Sequence, residues 1–404
     1  MKVTINKSKA QGTVTAPPSK SMAHRMLICS GLSRGRSIVH GIAPSEDVLA
    51  TLDCLEALGA RYTYTDDTVE IEGIGGGDIT PVQTLRCRES GSTLRFFMPL
   101  CMLSDAKATL TGSETLLKRP LEVYSNICKK QNIYYDNDGS AITLHGRLQS
   151  GDYKIPGNIS SQFISGLLFA LPQLPGDSTI NIVPPIESCS YINLTIQALA
   201  DFGVKVKWTD ERTLYVPGGQ RYQPGEVWVE GDYSNAAFFA ALDALGGDVK
   251  IDGLRPDSIQ GDKVYARHFE QLIKGTPAIN ISDCPDLGPI LFAVAAARSG
   301  GVFTGTKRLK IKESDRGAAM AQELAKFGVS AKVEEDTVVV YPIGFQAPGQ
   351  VLDGHNDHRI VMSLCVLLTL TGGTIDGIEA VNKSMPDFFE KLQSLGVDMH
   401  YETV

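Results

Sequence analysis

The residues of this chain that are best suited to chemistry are lysines and arginines placed beside small hydroxyl residues. The first example is segment 17–25 (PPSKSMAHR), where two prolines and Ser19 precede an apolar run. Proline sets the entry into a helix, a serine caps its first turn, and the unpaired amides of that turn attract anions. Lys20 and Arg25 add a point charge and a planar guanidinium fork. The segment predicts an anion site, and a capped surface helix with solvated cations is the plainer interpretation.

Three more polar segments precede apolar runs in the first half of the chain. Segment 89–100 (ESGSTLRFFMPL) contains Gly91, where the absence of a side chain lets a ligand approach the backbone. A simple glycine turn is the alternative there. The other two segments, GNISSQF and ESCSY, offer neutral donors suited to phosphate oxygens, namely Ser160, Ser161, Gln162 and Ser188. Many helix N-termini have this composition, so capping is their plainer interpretation.

The second half of the chain adds acidic residues to the cations. Asp286 precedes an apolar run, where a carboxylate is usually a helix cap. Segment 309–324 brings Lys312, Glu313 and Arg316 close together, and a solvated charge run is the default interpretation of such a stretch. These residues are therefore candidates for proton transfer and anion binding, with capping and solvation as the alternatives.

Two further basic positions complete the set of candidates. Arg359 follows His358 at the start of an apolar run, and Lys383 lies just before a proline-started helix. The spacing of His355 and His358 can suggest a metal site. We expect no metal, because no cysteine or carboxylate array completes such a site and Arg359 would repel a cation.

The elements that must position these side chains repeat along the chain. Each repeat is an amphipathic helix, a Gly or Asn near its end, and two strands joined by an acidic turn. The copies occupy residues 55–73, 126–146, 196–218, 321–342 and, at the end of the chain, 392–404. A weaker sixth copy has its helix at 265–274. Three copies before about residue 228 and three after it predict two similar halves made of α/β units.

Length and composition limit the class of protein. A chain of 404 residues exceeds what one hydrophobic core usually serves, so we expect two domains. A formal net charge of −8, without a long basic run, excludes a general nucleic-acid binder. Basic clusters inside an acidic protein favour a focused site for a small anion.

The sequence also bears on location. Its first residues alternate like a strand and lack the apolar core of a signal peptide, and the most apolar stretch, 360–370, is too short to span a membrane. Eight cysteines are scattered without a CxxC pair, which is typical of reduced thiols. We therefore expect a cytoplasmic protein that binds neither membrane nor nucleic acid. We also expect a monomer, although the sequence itself does not give the oligomeric state.

Taken together, the polar segments resemble a known enzyme family. They occur in the same order and at similar spacing as in the 5-enolpyruvylshikimate-3-phosphate synthases, or 3-phosphoshikimate 1-carboxyvinyltransferases, of the enolpyruvyl transferase family. The matching segments are PPSKSMAHR, SGSTLR, LLKRPLE, GNISSQF, ESCSY, PDLGPI, KIKESDR, NDHR and NKSMPDFF. Each segment alone is a weak signal, but nine in order cover nearly the whole chain.

The resemblance implies an α/β fold, the two-domain inside-out α/β barrel. That fold contains six βαβαββ-type repeats, three in each domain, in agreement with the repeats described above. One domain is expected to contain residues 1–17 and 230–404, and the other residues 18–229. The active site is expected in the cleft between them.

The resemblance also implies a reaction. It is the transfer of the enolpyruvyl group from phosphoenolpyruvate to the 5-hydroxyl of shikimate 3-phosphate, with release of phosphate. This is the penultimate step toward chorismate and the aromatic amino acids. We expect no cofactor and no metal, and we expect glyphosate as an inhibitor.

By resemblance, most of the candidate residues hold the two substrates. Those expected at phosphoenolpyruvate are Lys20, Gly91, Arg119, Gln162, Arg316, Arg359 and Lys383. Those expected at shikimate 3-phosphate are Lys20, Ser21, Arg25, Ser160, Ser161, Gln162, Ser188, Asp286 and Lys312. Two phosphates and two carboxylates can share a cleft only if cations offset their repulsion, which agrees with this set.

The catalytic residues implied are Asp286, Glu313 and Lys20. Asp286 is the expected base for the 5-hydroxyl proton. Glu313 and Lys20 compete as the acid that delivers a proton to the methylene carbon of phosphoenolpyruvate. The sequence does not rank these two.

Two other functions are compatible with parts of the pattern. The sister enzyme that transfers enolpyruvyl to UDP-N-acetylglucosamine shares the fold but uses a mobile-loop cysteine, which segment TLLKRPLE lacks. A non-catalytic anion-binding protein of the same fold is expected to have lost Lys20, Asp286 or Glu313, and all three are present. The pattern therefore favours the shikimate enzyme.

Overall fold

The computed structural model describes residues 1–75, 84–341 and 343–402. The chain forms two compact units. Unit 1 contains Met1–Pro17 and Gly231–Val404, and unit 2 contains Pro18–Glu230. The ends of two predicted repeats, Pro342 and residues 403–404, lie outside the described residues.

Helices of both units separate their strands along the chain. The described α-helices of unit 2 are α1 (Lys20–Leu32), α2 (Glu46–Ala57), α3 (Gly91–Cys101), α4 (Glu114–Leu117), α5 (Glu122–Lys130), α6 (Ser161–Ala170) and α7 (Cys189–Asp201). Those of unit 1 are α8 (Tyr233–Ala244), α9 (Tyr265–Lys274), α10 (Gly288–Ala297), α11 (Arg316–Lys326), α12 (His358–Thr371) and α13 (Phe388–Ser394). Short 3-10 helices span Leu171–Gln173, Gly261–Val264, Pro285–Leu287, Lys307–Ile311 and Ile378–Lys383.

The described strands are short. Unit 1 begins with β1 (Lys2–Ile5) and β2 (Gln11–Thr15). Unit 2 contains β3 (Arg34–His40), β4 (Arg61–Thr65), β5 (Thr68–Ile74), β6 (Thr84–Arg86), β7 (Ala108–Thr111), β8 (Tyr134–Asn137), β9 (Ala141–His145), β10 (Asp152–Pro156), β11 (Ser178–Val183), β12 (Lys207–Asp210), β13 (Thr213–Val216) and β14 (Glu226–Trp228). The chain returns to unit 1 with β15 (Asp248–Asp252), β16 (Ala278–Asn280), β17 (Gly301–Thr304), β18 (Ala331–Val333), β19 (Thr337–Val340), β20 (Leu352–Asp353), β21 (Gly373–Asp376) and β22 (Met399–Glu402).

One sheet arrangement recurs in both units. A parallel strand pair is extended by two antiparallel strands, giving orders β14-β3-β5-β4, β6-β7-β9-β8 and β10-β11-β13-β12 in unit 2. Unit 1 has β16-β17-β19-β18 and β20-β21-β1-β22 in the same pattern. In the described residues, its third sheet is only the parallel pair β15-β2. This accounts for the weak sixth repeat: helix α9 is present as predicted, but the strand after it, β16, joins the next sheet.

Buried helices lie at the centre of each unit. Helices α1, α3 and α6 of unit 2, and α8, α10 and α12 of unit 1, are buried on nearly every side. A helix of this kind can present polar groups only at its ends. Their N-terminal caps include Ser19, Ser90, Ser160, Asp232 and Asp357. The polar segments PPSKSMAHR, SGSTLR, GNISSQF and NDHR therefore lie at the starts of core helices.

Candidate active site

The N-terminus of α1 places Lys20 and Arg25 in unit 2. The Ser19 side chain accepts a hydrogen bond from the Met22 amide, so the predicted cap is present. The Nζ of Lys20 lies 2.7 Å from Oδ2 of Asp47, and only 15% of the lysine side chain is exposed. Arg25 is 3% exposed. The interpretation of both residues as solvated cations is therefore wrong.

Arg25 is held by neutral acceptors. Its Nε donates to the Thr195 hydroxyl at 2.8 Å, and Nη1 donates to the Ser21 carbonyl at 2.6 Å. Nη2 donates to the Tyr191 carbonyl at 3.0 Å. Burial lowers the pKa of Arg25 to about 10, still far above neutrality, so the group remains a cation. These contacts fix the guanidinium without neutralising its charge.

Gly91 begins α3 beside two guanidinium groups. An added methyl at Gly91 would lie 2.7 Å from Nη1 of Arg119 and 3.3 Å from Nη1 of Arg95. Arg95 donates in turn to the side-chain oxygen of Gln162 at 2.7 Å, and Gln162 donates to the Ser92 hydroxyl at 2.9 Å. Because Gly91 has no side chain, these two guanidinium groups can lie close to the backbone there.

The serines of the GNISSQF and ESCSY segments lie at two helix starts. Ser160 caps α6 by accepting a hydrogen bond from the Gln162 amide at 3.3 Å, as the plainer interpretation predicts. Ser161 follows it and is buried. Ser188 precedes α7 in the left-handed conformation (φ 55°) and makes no cap hydrogen bond to that helix. Capping therefore accounts for Ser160 and not for Ser188.

A buried chain of side chains connects the first turns of α1, α2 and α3. Nδ1 of His24 lies 2.7 Å from the Thr51 hydroxyl, which lies 2.8 Å from the Thr93 hydroxyl. Thr93 donates to Ser90, the cap of α3, at 2.8 Å. Because Thr93 is the donor there, Thr51 must donate to Thr93, and His24 must carry its proton on Nδ1. Burial, assisted by the charges of Lys20 and Arg25, lowers the pKa of His24 well below its ordinary value.

Arg316 is the centre of the acidic candidates in unit 1. It is 1% exposed, and its Nε lies 2.8 Å from Oδ2 of Asp357. Its Nη1 and Nη2 lie 2.9 Å from Asp286 and 2.6 Å from Glu313. Burial alone would lower the pKa of Arg316, but the carboxylates of Asp357, Glu313 and Asp286 raise it above its ordinary value. The segment 309–324 is therefore not a solvated charge run.

Asp286 bridges three cations. One of its oxygens lies near Arg316 and 3.2 Å from Nζ of Lys312, and the other lies 3.0 Å from Nη2 of Arg359. Helix α10 begins at Gly288 without a side-chain cap, so the capping interpretation of Asp286 is wrong. Burial lowers the pKa of Lys312, an effect that Asp286 opposes and Arg316 reinforces.

Arg359 and Lys383 lie beside this cluster. Nη1 of Arg359 donates to the Asp286 carbonyl at 3.2 Å, and Nη2 donates to the Ser234 hydroxyl at 2.8 Å. Nζ of Lys383 donates to the Asn356 carbonyl at 2.7 Å. Asp286 and Arg316 are therefore the centre of one cluster of alternating charge, formed with Lys312, Glu313, Asp357 and Arg359, and Lys383 contacts the backbone next to it.

Sequence reasoning missed two carboxylates, Asp47 and Asp357. Asp47 lies in the first turn of α2 after the cap Ser45, which is an ordinary pattern at a helix start. Asp357 caps α12 through the Arg359 amide and also pairs with Arg316. The segment NDHR contained the signal for Asp357, because a buried arginine requires a partner. Only the fold brings Lys20 to Asp47.

Two structural features are absent from the described part of the chain. No group of three or more His, Cys, Asp or Glu residues suited to a metal ion occurs there. No described helix combines the length and the apolar composition that crossing a membrane requires.

Comparison with known proteins identifies relatives over the whole length. The family model described as EPSP synthase (3-phosphoshikimate 1-carboxyvinyltransferase) matches residues 5–392. The 3-phosphoshikimate 1-carboxyvinyltransferase of Clostridium kluyveri is 39% identical over 98% of this chain and 97% of its own. That of Clostridioides difficile is 37% identical over 97% of each chain.

Solved structures share the fold. The EPSP synthase of Acinetobacter baumannii superposes with a TM-score of 0.79 at 24% identity, over 99% of each chain. The enolpyruvyl transferase NikO of Streptomyces tendae superposes with a TM-score of 0.78 at 13% identity, over 100% of this chain and 99% of its own. The predicted fold class is thereby confirmed. The match of the family model and the identity to these curated relatives show that the chain belongs to the EPSP synthase (3-phosphoshikimate 1-carboxyvinyltransferase) family.

Proposed function

We propose that this protein transfers the enolpyruvyl group of phosphoenolpyruvate to the 5-hydroxyl of shikimate 3-phosphate in the pathway to chorismate and the aromatic amino acids. The single observation that carries the proposal beyond family membership is Asp286 with its three cations. The three cations fix the orientation of this carboxylate. It is suited to act as a base beside anionic substrates.

The reaction proceeds by addition and elimination. The 5-oxygen forms a bond to C2 of phosphoenolpyruvate while Asp286 takes the hydroxyl proton and an acid adds a proton to the methylene carbon. The C2–O bond to phosphate then breaks, and the new methyl group loses a proton to restore the double bond. The products are 5-enolpyruvylshikimate 3-phosphate and phosphate. Every proton needs a positioned acid or base, and the charged candidates of both units supply them.

Lys20 and Glu313 are the two candidates for the acid, and they are held in different ways. Lys20 is an ammonium donor whose Nζ lies 2.7 Å from Oδ2 of Asp47. The Glu313 carboxylate already accepts a hydrogen bond from Nη2 of Arg316 at 2.6 Å. We therefore propose Lys20 as the first donor. Solvent deuterium exchange into the methylene group of phosphoenolpyruvate should be lost in Lys20→Met and retained in Glu313→Gln.

Substrate binding divides among the remaining candidates. Shikimate 3-phosphate is held by Ser21, Arg25, Ser160, Ser161, Gln162, Ser188, Asp286 and Lys312, with Lys20 shared. Phosphoenolpyruvate is held by Gly91, Arg119, Gln162, Arg316, Arg359 and Lys383, again with Lys20. Buried, oriented cations support this assignment, because they need no reorganisation when an anion arrives. Glyphosate, an anion of similar charge, is the proposed inhibitor.

Two further proposals concern location and assembly. All eight cysteines are free thiols and seven of them are buried, which supports a reducing compartment such as the cytoplasm. We propose a monomer, because each unit has its own hydrophobic core. Neither nucleic acid nor a membrane is needed for the proposed reaction, and neither is a metal or a cofactor.

A phosphate-release assay tests the function. Purified protein is given phosphoenolpyruvate together with either shikimate 3-phosphate or UDP-N-acetylglucosamine. We expect phosphate release only with shikimate 3-phosphate. Release with the UDP-sugar would establish the sister reaction instead. If calorimetry shows that shikimate 3-phosphate binds but no phosphate is released, the protein is a non-catalytic anion-binding protein.

A further inference from the structure

The turn between β20 and α12 has an unusual backbone. His355 and Asn356 both have φ of 50°, in the left-handed region that non-glycine residues seldom occupy. Two such residues in succession cost stability unless their surroundings hold them. The next residue, Asp357, caps α12 and pairs with Arg316. The turn therefore has a fixed shape at a point next to the charged cluster.

Glu323 holds this turn. It is fully buried on α11, seven residues after Arg316, and therefore about two helical turns along the same face. One carboxylate oxygen lies 3.0 Å from Nε2 of His355. The other accepts the Asp353 amide at 2.9 Å and lies 2.8 Å from Nζ of Lys326. Both oxygens are occupied, so the carboxylate fixes the turn at two of its residues.

The other end of the turn contacts a proposed substrate residue. The Asn356 carbonyl accepts the hydrogen bond from Nζ of Lys383. The carbonyl direction depends on the left-handed backbone at 355 and 356, since rotation of either residue would turn it away. Glu323 is thus connected through His355 and Asn356 to the ammonium group of Lys383.

We propose that Glu323 and His355 form a positioning pair that sets the affinity for phosphoenolpyruvate by orienting Lys383 through the 353–357 turn. This inference rests on the proposed function, in which Lys383 holds that substrate. Neither residue of the pair touches the reacting atoms. Their loss therefore affects the binding of one substrate more than turnover.

The charge on His355 is part of the pair. The hydrogen bond to Glu323 raises the pKa of His355, and burial opposes this. The other charges that act on the ring are Asp353, which raises the pKa further, and Lys326, which lowers it. A raised pKa means that the ion pair is complete below pH 6.5 and is lost as the pH rises through the raised value. The positioning of Lys383 should therefore weaken as the pH rises.

Two variants and one control test the proposal. His355→Asn keeps a residue tolerant of the left-handed backbone but removes both the contact and the titration. Glu323→Gln keeps the shape and removes the charge. Glu270→Gln is the matched control, because it makes the same substitution in an exposed pair with Lys274 on α9 of the same unit.

We expect the KM for phosphoenolpyruvate, measured near pH 6, to rise about fivefold or more in His355→Asn and in Glu323→Gln. The KM for shikimate 3-phosphate and kcat should stay within about twofold, and Glu270→Gln should be unchanged. Partial unfolding lowers kcat but does not change KM. The different effects on the two KM values can therefore be measured even if a variant is less stable. A KM for phosphoenolpyruvate that stays within twofold, or an equal rise for both substrates, would overturn the proposal.

The pH profile gives an independent readout. The ratio of the phosphoenolpyruvate KM of His355→Asn to that of the unmodified enzyme should be largest near pH 6 and fall toward one by pH 8. The ratio removes the titration of the substrate itself, which is common to both proteins. A ratio that does not change with pH would overturn the role of the ion pair. An unmodified enzyme that releases no phosphate at all would refute the proposed function, and the inference with it.

Discussion

Arg25 and Arg316, two buried cations in different units, are held in different ways. In unit 2, Arg25 donates to hydroxyls and backbone carbonyls, and Arg95 donates to an amide oxygen. In unit 1, Arg316 lies against three carboxylates. Neutral acceptors leave the positive charge available to a ligand, whereas carboxylates offset it and remain at hand for proton transfer. We therefore expect Arg25 to act by attracting an anion, and the cluster around Arg316 to supply acid–base groups as well as cations.

Lys20 is the informative exception in unit 2. Its partner Asp47 is a carboxylate, so this cation resembles those of unit 1. It is also the residue of unit 2 proposed to transfer a proton. The two groups proposed to transfer the first protons, Lys20 and Asp286, therefore both belong to carboxylate–cation pairs.

The largest expected effect comes from removing one carboxylate from Arg316. Asp357→Asn keeps the cap of α12 but leaves a buried guanidinium with less compensation, and we expect about 3 kcal/mol of lost stability in unit 1. Thr195→Val removes a neutral partner of Arg25 and should cost only about 1 kcal/mol in unit 2. Hydrogen exchange of peptides from α12 and α1 measures each unit separately. Equal losses of stability in Asp357→Asn and Thr195→Val would contradict the contrast between charged and neutral partners.

The next effect concerns Asp286 as the base. Asp286→Asn keeps the shape and lowers the basicity, so turnover should fall by about 10²-fold or more. Shikimate 3-phosphate should still bind, because the other groups that hold it remain. Phosphate release and calorimetry measure the two quantities. If turnover survives and binding is lost, Asp286 is a substrate contact and unit 1 loses its proposed role.

A smaller effect is expected at Gly91 in unit 2. A methyl there would displace the Arg119 guanidinium, which lies 2.7 Å from the new atom. Glyphosate is longer than phosphoenolpyruvate and has less room to adjust. We expect Gly91→Ala to raise the glyphosate inhibition constant more than tenfold, or about 1.4 kcal/mol, and the KM for phosphoenolpyruvate by less.

Gly225→Ala is the control for this substitution. It lies in the same unit, and its added methyl would meet nothing within 4 Å. It should leave both constants unchanged. Equal weakening of glyphosate and phosphoenolpyruvate by Gly91→Ala would mean that Gly91 serves the backbone conformation and not ligand clearance.

The smallest effect is a pH dependence of stability in unit 2. The folded pKa of His24 is depressed by burial, so below about pH 6.5 the unfolded chain binds a proton that the folded chain does not. Stability therefore falls with acidification, by roughly 0.7 kcal/mol from this residue between pH 7 and pH 6. Urea unfolding of the unmodified protein and of His24→Asn at both values measures the difference. If the unfolding free energy changes with pH equally in both proteins, His24 also gains a proton in the folded state.

The sequence predicted local features better than distant ones. The helix at 265–274 has the predicted bounds, because its period is visible in its own residues. The caps Ser19 and Ser160 follow the same local rule. The pairing of Lys20 with Asp47 was not predictable in this way, since it depends on how α2 packs beside α1. For the same reason, the sequence suggested that Asp286 is a helix cap, because its contacts with Arg316 and Arg359 depend on the fold.

The two strands at the beginning of the chain have a consequence for biosynthesis. β1 pairs with β21 and β22, and β2 pairs with β15, all of them in the part of unit 1 that follows residue 230. Unit 2 is continuous and can complete its fold as soon as residue 230 has left the ribosome. β1 must wait for Met399–Glu402, which are synthesised after the whole of unit 2. β1 therefore finds this partner strand only after unit 2 can already have folded.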